Sequence, residues 1–260
     1  TTEIYTLSLH DALPISITAV PTPEYTCGAG CGFVGATGVE LALFYQHDYP
    51  ALRKHPQRFP HYAFYELGRN FYTFGDRHSC FTTGFAVFMR YVCMDTLECE
   101  DAELDLRRHI ERMEEVYASS EEPFLRTFTM LEGLDEKAPR LKGPNGQPLD
   151  PCDQPVMYAS AMLKLRREYG GNEWVKRFYR RLAGCPAVKP SDKAAAQRQC
   201  LSWLVSASLA ANRDLSPLFG DRWRMPLTKE QRAILAATDY HDANLKPADL
   251  VQRLFNAANP

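Results

Sequence analysis

The stretch His61-Tyr62-Ala63-Phe64-Tyr65-Glu66-Leu67-Gly68-Arg69-Asn70-Phe71-Tyr72 gathers an imidazole, a carboxylate, a guanidinium and several phenols in one short segment. On a helix each residue turns the chain by about 100°, so His61, Tyr65 and Arg69 share a face and Glu66 lies beside it. A carboxylate so placed could serve as general base for hydrolysis, with Arg69 or Tyr65 as electrophilic partner. Glu66 and Arg69 are three residues apart, within reach of a charge pair. The plainer reading is an ordinary helix surface. His61 could also join His78 and Asp76 of the following loop in a displaced metal site, but their spacing matches no zinc motif.

Other candidates carry less. Cys27 and Cys31 are spaced Cys-x3-Cys, half a zinc site at best, and a glycine-rich turn, with or without a disulfide, is the better reading. Glycines 28, 30, 32 and 35 are not followed by the Lys-Ser/Thr of a phosphate loop. Lys176, Arg177, Arg180 and Arg181, interleaved with Trp174, Phe178 and Tyr179, could hold an anion but read better as a solvated face over a core stripe. Ser206 and Ser208 lie outside any Gly-x-Ser-x-Gly elbow.

These residues need elements to hold them. Residues 17–35 contain the clearest β signal, two short strands about the turn 27–35; from Thr37 the spacing of Val39, Leu41, Ala42 and Tyr45 suggests a helix ending before Pro50. Helices are expected over His61–Phe74 and Thr82–Met94, the second apolar nearly all round and therefore buried. Asp101–Ala118 reads as amphipathic, with Leu104, Leu106, Ile110, Met113 and Val116 inward, and Pro123–Leu134 as a further helix. The prolines and glycines of 138–152 mark a loop and a subdomain boundary. Beyond it Asp153 can cap a helix to Glu168, Gly170-Gly171 breaks it, and helices follow with Trp174, Phe178 and Leu182 on one face, over Ser191–Ala211, and over Pro247–Asn256.

The segment 61–72 resembles the metal-binding helix of gluzincin-type zinc peptidases, in particular the enhancin-like, mucin-degrading kind: Glu66, Leu67, Gly68, Asn70 and Phe71 fit that frame. Thr83-Gly84-Phe85-Ala86 is similar to the family's Glu-Gly-Phe-Ala helix, and Ser206–Pro226, with Asp214, Leu215, Phe219 and Trp223, resembles the closing segment of enhancin-like and basic-secretory-protein-like peptidases. The likeness spans roughly residues 25–228. It implies a zinc ion held by two histidines and a glutamate, but Tyr65, Arg69 and Thr83 stand at those three positions. A phenol is a poor zinc ligand beside imidazole and a guanidinium repels the ion, so no metal and no other cofactor is expected.

With 45% hydrophobic and 24% charged residues the chain has the composition of a globular protein. A net charge of −2, with no basic stripe, gives no reason to expect nucleic acid, and no apolar run is long enough to span a membrane. Eight cysteines leave the redox compartment open, though the resemblance is compatible with a secreted or extracytoplasmic setting. The expected fold is helix-dominated α+β: a β element and zincin-like motif helices over 17–137, the 138–152 loop, and a C-terminal helical subdomain over 153–260. The expected function is that of a catalytically inactive relative of gluzincin peptidases whose cleft, lined by His61 and His78 among others, binds a peptide, glycoprotein or glycan. The alternatives are an active hydrolase centred on Glu66 and a structural module of a larger protein.

Residues 1–16 resemble the translation of a sequencing adapter and are set aside; losing Glu3 and Asp11 with them brings the net charge from −2 to zero. Deleting them is expected to change stability by no more than about 0.5 kcal/mol in a urea melt; a loss of several kcal/mol would place the segment in the fold.

Overall fold

Burial along Gly38–Ala42 follows a period of two at its start, with Val39 and Leu41 buried and Gly38 and Glu40 half-covered. This is a strand, not the helix expected there; spacings of two and of three or four coincide over so short an apolar run. The computed structural model describes residues 16–32, 38–42, 44–72, 80–129, 154–186 and 192–258. It divides into two compact units, Thr1–Thr73 with Met89–Glu103, and Phe74–Phe88 with Leu104–Pro260. Helices dominate, and the β structure is small.

In the first unit, β1 (Ser16–Val20), β2 (Gly30–Gly32) and β3 (Gly38–Ala42) form a sheet of order β1-β3-β2, with β1 parallel and β2 antiparallel to β3. Ser16 pairs with Gly38, so the adapter-like stretch overlaps the sheet by its last residue. A π-type turn (Phe44–Asp48) leads into α1 (Tyr49–Lys54), and a minimal parallel pair joins β4 (Arg58–Phe59) to β5 (Glu100–Asp101). Asp101 therefore lies in a strand, where a helix was expected to begin. Helix α2 (His61–Arg69) is shorter than expected and packs on β2 and β3. Helix α3 (Cys80–Thr96) is buried almost all round. Its Arg90 is tolerated inside because the guanidinium lies 4.6 Å from the Tyr91 ring centroid and donates to the Tyr91 hydroxyl at 2.8 Å.

In the second unit, α4 (Leu104–Ala118), α5 (Phe124–Phe128), α6 (Gln154–Tyr169), α7 (Gly171–Leu182), α8 (Lys193–Ala211), α9 (Lys229–Ala236) and α10 (Pro247–Ala258) build the core. Gly170 and Gly171 take positive φ between α6 and α7, as the helix break requires. The side chain of Asp192 caps α8 by accepting from the Ala195 N–H at 2.8 Å. The loop 138–152 and Asp153 lie outside the described residues. Across that gap in sequence, α4 and α5 pack on α6.

Helix α4 turns Ile110, Met113, Glu114 and Tyr117 inward, while Leu104 is exposed and Leu106 and Val116 are half-buried. The inner stripe thus carries a carboxylate. The Glu114 side chain accepts from Arg222 Nε and Trp223 Nε1, each at 2.6 Å, and from an Arg222 terminal nitrogen at 2.9 Å. Arg224 lies over the Tyr117 ring and donates to the Tyr117 carbonyl at 3.0 Å, at the carbonyl end of α4. A π-type turn (Leu218–Arg222) and the two residues after it, Trp223 and Arg224, supply these partners. Helix α9, which the sequence reading did not assign, begins with a capping box: Thr228 Oγ accepts from the Gln231 N–H at 3.1 Å and the Gln231 side chain accepts from the Thr228 N–H at 2.9 Å. The same Gln231 amide donates to the Leu254 carbonyl of α10 at 2.9 Å.

Burial alone would raise the Glu114 carboxyl, but its hydrogen bonds from Arg222 and Trp223 and the nearby charges of Arg222 and Lys164 outweigh that and hold it below the usual carboxylate range. Replacing it by Gln keeps the shape and removes the charge. Glu114→Gln is expected to cost about 1.5–3 kcal/mol in urea denaturation, the range for hydrogen bonds to charged groups; an unchanged midpoint would show that the network contributes nothing.

Candidate functional site

Helix α2 starts directly after Pro60, whose φ of −69° leads into a helix. Its two long faces have different surroundings. Glu66 and Asn70 turn toward the sheet. A Cβ on Gly30 would stand 2.8 Å from Glu66 Cγ, and one on Gly32 would collide with the Glu66 carbonyl oxygen, so only glycines let β2 lie this close. The Gly32 N–H donates to the Glu66 carboxylate, and Asn70 Nδ2 donates to the Gly38 carbonyl at 3.1 Å. Glu66 is 6% exposed. Burial lifts its carboxyl above the usual range, opposed only partly by the Arg69 charge and the Gly32 N–H.

Tyr65 and Arg69, one turn apart, face each other. An Arg69 terminal nitrogen donates to the Tyr65 hydroxyl at 3.4 Å, and the guanidinium carbon is 5.7 Å from the ring centroid. Among the described residues no ion pair joins Arg69 to Glu66, contrary to the pairing expected from their spacing. The i,i+4 partner won because Glu66 is directed onto β2. Between Tyr65 and Asn70 three buried polar atoms have no hydrogen-bond partner, Glu66 Oε2, Arg69 Nε and Asn70 Oδ1, and neither has His61 Nδ1 at the start of the helix.

His61 is not in this cluster. It is buried, with Nδ1 3.4 Å from a Glu103 carboxylate oxygen. His78 and Asp76 lie outside the described residues. Thr83 is half-buried on the part of α3 assigned to the second unit. Cys27 and Cys31 form a disulfide, with Cα atoms 5.2 Å apart, closing the turn that leads into β2. On α7, Lys176 pairs with Glu173 on an exposed surface, while Trp174 and Phe178 are buried: a solvated face over core. Ser206 and Ser208 are fully buried, and Ser208 accepts from the Leu215 N–H. Sequence reasoning missed the part played by Asn70 and the neighbours of Glu66. Two glycines flanking one residue in a three-residue strand were the available sign of a close approach.

Among the described residues, no group of three or more His, Cys, Asp or Glu side chains is placed to hold a metal ion. The donor set at the motif positions does not suit zinc either, since a guanidinium has no lone pair to offer a metal and that of Arg69 is engaged with Tyr65. No helix among the described residues is long and apolar enough to cross a membrane. No protein-family model, curated protein or solved structure matches the chain.

Burial, and then the charge of Arg90, push His61 down to about 4 from an ordinary value near 6.5. The unfolded chain therefore binds the proton that the folded chain refuses between these two values, and stability is lost as pH falls from about 6.5 to 4. The loss assigned to His61 is expected to be roughly 1–3 kcal/mol. His61→Gln should flatten that part of the stability–pH profile; a profile unchanged by the substitution would show that His61 titrates normally.

Proposed function

We propose that this protein is a catalytically inactive relative of gluzincin peptidases that uses the Glu66 face of α2 to bind a peptide, glycoprotein or glycan. The observation that carries the reading is the set of unmatched polar atoms there. Glu66 Oε2 and Asn70 Oδ1 are acceptors and Arg69 Nε is a donor, all buried, all without a partner, within two turns of one helix. Buried polar atoms are nearly always satisfied, and a ligand carrying both N–H or O–H donors and carbonyl or hydroxyl acceptors would satisfy these. The polar tips of Tyr65 and Arg69 meet each other where metal ligands would be needed, which supports binding without metal-assisted hydrolysis.

One observation favours a second reading, hydrolysis with Glu66 as general base: a carboxyl raised by burial is tuned toward proton transfer near neutral pH. The 6% exposure of Glu66 bears on both readings, since ligand and substrate alike must reach a covered carboxyl.

Titration calorimetry with unglycosylated peptides, a mucin-type glycopeptide and its free glycan tests the first reading, alongside mass spectrometry for cleavage. Binding of at least one ligand without cleavage is expected, weakened about tenfold or more by Glu66→Ala, the loss of one charged hydrogen bond. Stoichiometric zinc by elemental analysis, or cleavage that Glu66→Gln abolishes, would replace the inactive reading with an enzymatic one. Absence of binding to every ligand class would leave a structural module.

A further inference from the structure

We propose that the Cys27–Cys31 disulfide is a redox clamp that holds β2 over Glu66, and that its reduction by a dithiol uncovers the carboxyl. The inference rests on the Glu66 reading only for what the uncovered group would meet; the uncovering itself follows from the strand.

Strand β2 is weak by composition. It has three residues, two of them glycine, and the turn before it holds Gly28 at φ +123°, a backbone state that side chains rarely adopt. Glycines lose the most conformational freedom on ordering, and short strands have few hydrogen bonds to set against that loss. The sheet side of β2 is held by β3: the Ala42 N–H donates to the Ala29 carbonyl at 2.9 Å, and Cys31 pairs with Glu40. In an antiparallel ladder the residues between such pairs turn their N–H and carbonyl groups the other way, so Gly30 and Gly32 point theirs away from β3. On that outer edge the two glycines lie against Glu66: a Cβ on Gly30 would stand 2.8 Å from Glu66 Cγ, and one on Gly32 would collide with the Glu66 carbonyl oxygen. The disulfide ties the turn to the middle residue of this strand, so it restrains the two glycines that cover the carboxyl.

The two sulfurs are set differently. Cys27 is exposed and Cys31 is 5% exposed. A thiolate of the dithiol attacks Cys27 Sγ, forming a mixed disulfide and releasing Cys31 as a thiolate that takes up a proton. The second thiol of the reductant then attacks its own sulfur in the mixed disulfide. This releases Cys27 as a thiol and leaves the reductant as a disulfide, with two electrons transferred to the protein. The described free cysteines, Cys93, Cys99, Cys185 and Cys200, take no part.

The test compares the full chain before and after treatment with dithiothreitol, using amide hydrogen exchange and NMR titration of the Glu66 side-chain carbon. Exchange at Gly32 should speed up about 10- to 30-fold, the loop-closure effect expected for so short a ring. The Glu66 titration should move down toward the ordinary carboxylate range while exchange within α8 stays unchanged. The double variant Cys27→Ser, Cys31→Ser should reproduce the reduced state without reductant. Unchanged exchange at Gly32 and an unchanged Glu66 titration on reduction would overturn the proposal. So would a general rise in exchange that includes α8, which would make the disulfide a global staple. Failure of every peptide and glycan to bind in either redox state would sink the functional reading and leave the clamp standing.

Discussion

Several elements of the second unit converge on one indole. Trp203 of α8 is 1% exposed and lies within 4.9–6.4 Å, centroid to centroid, of Phe81, Tyr158, Phe124, Phe128, Phe219 and Trp223. Its N–H finds the Met162 sulfur at 3.3 Å. Those rings come from α3, α5, α6 and the segment 218–223, so each element's position is set by how its ring meets the same partner. The small residues of α8, from Ala195 and Ala196 through Ala211, let α7 and α10 lie close on the same helix. A collision between a Cβ at Gly84 and Tyr158, 2.5 Å away, shows the same tightness on the α3 side.

The two buried glutamates differ in their donors. Glu114 is met by a guanidinium and an indole N–H, and its carboxyl falls below the ordinary range; Glu66 is met by one backbone N–H and a more distant Arg69, and its carboxyl rises. Both are nearly inaccessible to solvent. Satisfying every oxygen makes Glu114 an internal fastener, whereas Glu66 keeps one oxygen without a partner.

Most helices were legible because their evidence is local. The apolar run of α3, the Gly170-Gly171 break and the start of α10 at Pro247 all fall where side-chain periodicity and breaker residues place them. The short sheet was only half legible: β3 shares its spacing with a helix, and its identity depends on pairing with Ser16–Val20, a parallel contact no local pattern announces. At the candidate site, the frame Glu66-Leu67-Gly68 drew attention to α2, but not to what covers it. Arg69 was expected to pair with Glu66, yet it donates to Tyr65. Glu114 went unnoticed because a charge inside an apolar stripe looks like an exposed position until Arg222 and Trp223, over a hundred residues away, are seen to answer it. Thr228-x-x-Gln231 was readable as a helix start and was overlooked.

Gln231 is 3% exposed, and its amide is used at both ends: the oxygen receives the Thr228 N–H and the nitrogen gives to the Leu254 carbonyl. Glutamate has the length but no donor, lysine the donor but no acceptor, and asparagine both groups on a shorter stem. The position is therefore a chemical word with a single spelling. Even hydrolysis of that amide, in which water replaces the nitrogen by oxygen and ammonia leaves, would set a carboxylate against the Leu254 carbonyl where an N–H now donates.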